Sequence, residues 1–160
     1  MLATMALAMT PMAEPQPAVL IQHVEMPQLV IEAVQPKSAA DEAVSSYHNL
    51  KESLAISHTA MAEWLGVKRR TLYNWLDQPE KSRFGGQIEN RIFSLIELTR
   101  EMELEHIPFL QKVAFSPIHG DPNFGKAILE GSDSNQLVDW YDKTFSRFEV
   151  CRKASQKLSV

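Results

Sequence analysis

The chain has 160 residues, 44% apolar and 22% charged, values that exclude a wholly disordered or collagen-like polymer. Lys and Arg number 16 against 20 Asp and Glu, a net charge of −4, so any nucleic-acid binding must come from a local basic patch. The single cysteine, Cys151, excludes an intrachain disulfide and a four-cysteine zinc site, and a reducing, cytoplasmic setting is expected.

The first 37 residues differ from the rest. No aromatic precedes Tyr47, and no Lys or Arg precedes Lys37. Five of the nine prolines lie in this stretch. Without aromatics, and broken by proline, it cannot build a core of its own, so residues 1–37 are expected to be a flexible extension. Its apolar runs, Ala18–Ile21 and Leu29–Val34, leave open whether it is a loose tail or an arm that folds on a partner. The n-region of a secretory signal is missing, and no run reaches the ~18–20 apolar residues of a membrane span.

Helical spacing begins at Ser38. Val44, Tyr47, Leu50 and Leu54 recur on one helical face, with Asp41 and Glu42 at its acid-favouring start. Ser57 is the expected N-cap of a short helix over His58–Leu65, ended by Gly66. A second short helix is expected from about Lys68 to Asp77, before Pro79. A loop over Pro79–Gly86 then leads to a long helix with Ile88, Ile92, Leu95, Ile96, Thr99 and Met102 inward. A short segment begins at Pro108, and His119–Gly125 reads as a turn-rich loop. A last helix from Asp133 or Ser134 aligns Leu137, Tyr141, Phe145 and Phe148. No alternating strand pattern follows Lys37. The expected fold is all-α: a helix-turn-helix domain over 38–84 and a helical dimerisation or partner-binding domain over 85–160 with a short basic tail.

The segment from Ser57 to Leu76, SHTAMAEWLGVKRRTLYNWL, carries the most information. Ala62 supplies the small side chain needed where two short helices cross. Gly66 accepts the positive φ of the turn. Met61, Leu65, Val67, Leu72 and Trp75 close a small core, which is helix-turn-helix spacing. The stretch resembles the Xre/Cro-like helix-turn-helix of transcriptional regulators. Gly66-Val67, Thr71, Leu72 and Trp75 match that pattern, Ser57-His58 stands for its usual Thr-Gln, and Met61-Ala62 for Leu-Ala. Lys68 departs from it, because lysine cannot cap the second helix.

With Leu72 and Trp75 inward, Arg69, Arg70, Tyr73 and Asn74 point outward as candidate base-reading residues. Arginine can pair bidentately with guanine and asparagine with adenine in the major groove. Ser57, His58, Lys68, Thr71, Lys81 and Arg83 are candidate phosphate contacts. From Lys68 to Arg83, five basic residues face two acids, an excess of three positive charges in an acidic chain. The alternative is an ordinary helix pair with solvated charge.

Other signals are weaker. His119-Gly-Asp121 is similar to the catalytic loop of small-molecule phosphotransferases, but the phosphate-cradling loop and metal-binding partners of such enzymes are missing. The histidines (His23, His48, His58, His106, His119) lack metal-ligand spacing. No enzyme, metal or cofactor is expected. The C-terminal half faintly resembles Xre-type antitoxins paired with RES-domain toxins, through its long helix, the Pro122–Gly125 loop and the final helix. Trp140, Tyr141, Phe145 and Phe148 could form a subunit interface or fill the chain's own core. The expected function is a sequence-specific, double-stranded-DNA-binding transcriptional regulator, acting as a homodimer and independent of membranes. The alternative is an antitoxin that neutralises a protein toxin and represses its own operon, meeting its partner through the C-terminal helices or the N-terminal arm.

Overall fold

The structure, a computed structural model, describes residues 38–159, so the expected extension over 1–37 lies outside them. Helix α1 (Ala39–Leu54) opens at Ser38, whose hydroxyl accepts from the Asp41 N–H at 3.2 Å. Tyr47, Leu50 and Leu54 are buried on the expected face. Ser57 caps α2 (His58–Trp64), accepting from the Ala60 N–H at 3.1 Å. Gly66, at φ 69°, makes the turn, and the Val67 N–H closes it on the Ala62 carbonyl at 3.0 Å. Lys68 occupies the N-cap of α3 (Arg69–Asp77) and makes no side-chain cap, having no acceptor to offer.

A 3₁₀ turn over Pro79–Lys81 interrupts the expected loop before α4 (Gly85–Glu101). In α4 the buried stripe is Ile88, Ile92, Leu95 and Leu98, continued by Met102. Leu98 takes the inward place expected of Ile96 and Thr99, which are half-buried. A second 3₁₀ turn, Ile107–Phe109, runs into α5 (Leu110–Phe115).

Residues Pro122–Gly125, expected within a loop, are the first turn of α6 (Pro122–Glu130). Asp121 caps it by accepting from the Asn123 and Phe124 N–H groups at 2.9 and 3.3 Å. Pro122 sits in the first turn, where no backbone N–H is needed. Gly120 and Gly125 read as turn residues in the sequence and mask the helical periodicity of this short segment. Asp133 then caps α7 (Ser134–Leu158).

The described residues are all-α. Helix α1 packs on α4, α4 on α7, α5 and α6 on α7, and α2 reaches α6. One hydrophobic core runs from Tyr47 through Trp75 and Leu98 to Phe148. The expected boundary between residues 84 and 85 therefore falls inside a continuous packing. Tyr141 and Phe148 are buried, and Trp140 and Phe145 pack against the same core. Part of the α7 aromatic stripe thus fills the chain's own interior, while Trp140 and Phe145 stay half-exposed at its edge.

Candidate nucleic-acid interface

Helices α2 and α3 meet through Met61, Ala62, Leu65, Leu72 and Trp75, all nearly excluded from solvent. That packing fixes the opposite face of α3. Arg69, Arg70, Tyr73 and Asn74 are all exposed there, as their spacing predicts. Asp77 shares the exposed surface at the helix end. Thr71 is half-buried beside them.

The 78–84 segment folds back beside this face. Thr71, Asn74, Asp77, Gln78, Lys81, Ser82, Arg83 and Phe84 line one open hollow of about 440 Å³. Of the candidate base-reading residues Asn74 alone lines it, together with the candidate phosphate contacts Thr71, Lys81 and Arg83; Arg69, Arg70 and Tyr73 lie outside it. Lys81 and Arg83 are exposed, and the Arg83 guanidinium lies 4.8 Å from the centre of the Phe84 ring. Lys68 is also exposed. Ser57 and His58 do not line the hollow; they open α2, where the His58 ring lies 5.5 Å from that of Tyr73. The Ser57 hydroxyl oxygen is already an acceptor in its own cap.

Two features went unread in the sequence. The Tyr47 hydroxyl stands 2.5 Å from His58 Nδ1 and ties α1 to the start of α2. No short-range spacing links residues eleven apart on different helices. The second is Arg91 in α4. Its Nη1 donates to the carbonyls of Trp64 and Leu129 at 3.2 and 3.1 Å, and its Nη2 to that of Glu130 at 3.4 Å. One guanidinium therefore closes the C-terminal ends of α2 and α6 together. A Cβ added at Gly66 or Gly131, both at positive φ, would run into it.

The polar centre of the C-terminal half lies elsewhere. The Glu103 N–H donates to the Tyr141 hydroxyl at 3.2 Å, so that hydroxyl is assigned as donating to His106 Nδ1 at 2.8 Å. His106 Nε2–H then donates to Glu149 at 2.9 Å. Arg152 holds Glu149 at 2.9 and 2.8 Å. Its hydrogen bonds, then that of His106, pull the Glu149 carboxyl down to about 2. Glu103, His106 and Glu149 could reach one metal ion, but both ring nitrogens are already used and Arg152 occupies the carboxylate. Chemically the group is an internal tie between α7 and the 103–106 turn.

His119 is exposed, while Asp121 is spent as the cap of α6. No described helix is long and apolar enough to cross a membrane. Comparison with protein-family models, curated proteins and solved structures finds no match to this chain.

Proposed function

We propose that this chain is a cytoplasmic transcriptional regulator of the Xre/Cro-like helix-turn-helix kind that binds double-stranded DNA in a sequence-specific manner. One observation carries the proposal. The packing that buries Leu72 and Trp75 turns Arg70, Tyr73 and Asn74 outward, beside a hollow edged by Lys81 and Arg83. A helix with that outward set, next to a basic rim, suits a major groove flanked by phosphates. The proposal gives no residue a catalytic role and requires no cofactor. A homodimer belongs to it because one short helix reads few base pairs, and paired half-sites multiply the affinity. Tyr141 and Phe148 are buried inside the monomer, which leaves the half-exposed Trp140 and Phe145 as the part of the α7 stripe open to a subunit contact.

The experiment is selection of duplexes from a random pool by the full-length chain, followed by sequencing. The expected result is a short motif repeated with two-fold symmetry and half-sites about one helical turn apart. An unenriched pool would refute sequence-specific binding.

A second proposal, the antitoxin, draws support from the C-terminal surface. Ile118 and Val150 are 83% and 67% exposed and line a hollow of about 450 Å³ with Lys112, Arg147 and Cys151. Exposed apolar side chains around a hollow suit a protein partner.

A further inference from the structure

One corner of the molecule gathers side chains from three helices. Lys51 lies in the last turn of α1, His58 opens α2, and Arg69 and Tyr73 stand on α3. The His58 ring centre is 5.7 Å from that of Tyr47 and 5.5 Å from that of Tyr73. The Arg69 guanidinium lies over Tyr73 and donates to its hydroxyl at 3.2 Å. Among the described residues, neither Lys51 nor Arg69 is in an ion pair.

The buried phenol decides which nitrogen of His58 carries the proton. Burial, then the neighbouring Tyr73, pushes the Tyr47 hydroxyl up to about 12, so it stays protonated. If His58 Nδ1–H donated to it, the phenol proton would be left unpaired in the core, which is unfavourable. The O–H therefore donates to Nδ1, and the single proton of the neutral ring sits on Nε2. Partial burial, then Lys51, His48 and Arg69, lowers the His58 pKa, which favours that neutral form. Nε2 makes no hydrogen bond among the described residues, and the ring is half-exposed.

The geometry points to a seat for one backbone phosphate of duplex DNA at this corner, with His58 Nε2–H as the aimed donor, Lys51 and Arg69 as flanking cations, and Tyr47 as the positioning residue. A phosphate oxygen only accepts hydrogen bonds and carries negative charge, which matches a neutral N–H donor in the field of two cations that are in no ion pair among the described residues. The seat rests on the DNA-binding proposal and extends it. It moves Arg69 from base reading to phosphate binding and brings in Lys51 and Tyr47. Tyr47 touches no DNA; it acts by fixing the donor.

The test uses the full-length chain with ¹⁵N-labelled histidine. Ring-nitrogen shifts of His58 are recorded without DNA, for the parent and Tyr47→Phe. Affinities for a selected and a scrambled duplex are then measured for the parent, Tyr47→Phe, His58→Ala, the double variant and Arg70→Ala. The parent should show a neutral ring protonated at Nε2, and Tyr47→Phe a mixture of tautomers. Tyr47→Phe should weaken binding to both duplexes alike, by about three- to ten-fold, and should add nothing in the His58→Ala background. A parent ring protonated at Nδ1, or equal losses from Tyr47→Phe with and without His58, would overturn the assignment. If Arg70→Ala loses the selected duplex while His58→Ala binds like the parent, the seat is wrong and the DNA-binding proposal stands. A parent that binds no duplex removes both.

Discussion

Trp75 shows how one residue serves both the core and the candidate interface. Its ring is 0% exposed and holds α3 so that Arg70 and Asn74 face outward. Trp75→Ala should cost about 3–5 kcal/mol of stability through the cavity it leaves, read by urea unfolding. Lys81→Ala should leave stability unchanged. It should weaken binding to every duplex and lower the slope of affinity against salt by about one. Glu149 gives a pH signature. Its folded carboxyl is held at about 2, below the ordinary 4.5, so the stabilisation is complete above 4.5 and is lost as pH falls toward 2. Glu149→Gln should remove that part of the acid sensitivity in unfolding curves recorded across this interval. A variant as acid-sensitive as the parent would show that the carboxylate ties nothing down.

Among the helices, the joint at Arg91 matters most for the proposed function. By closing α2 and α6 on one guanidinium, it fixes the helix-turn-helix to the C-terminal half. Arg91→Ala should cost about 1.5–3 kcal/mol, the range for hydrogen bonds to a charged group. Denaturant unfolding measures this, and a change within error would show the carbonyls to be equally well satisfied by water. The joint was illegible in the sequence because Arg91 sits on the outer face of α4 among other charges, and its partners are carbonyls 27 to 39 residues away. By contrast, α1, α2 and α3 were legible nearly to the residue. Ser38, Ser57 and Gly66 are local signals that act within their own turns. The outward set Arg69, Arg70, Tyr73 and Asn74 followed from the two buried positions beside it. Helix α6 was hidden because glycines mark turns in sequence, while Gly125 serves close packing instead, its position facing the Ala114 carbonyl and the Phe115 ring.

The whole molecule combines a chain charge of −4 with a basic surface around α3. Charge elsewhere on the chain repels DNA, so nonspecific binding should be weak and strongly reduced by salt. The continuous core from Tyr47 to Phe148 predicts one cooperative melting transition. In a Trp140→Phe variant, fluorescence reports only Trp64 and Trp75, and its transition should coincide with that from circular dichroism. Two separated transitions would indicate independent halves. The central claim, that α3 reads DNA, is tested most directly by Arg70→Ala and Asn74→Ala. Affinity is measured at two salt concentrations on the selected duplex and a scrambled one. Each variant should lose about 1–3 kcal/mol on the selected duplex, keep its scrambled binding, and relax the preference at one base position. If both variants bind the two duplexes as the parent does, α3 is not the reading helix, and a protein-binding role takes its place.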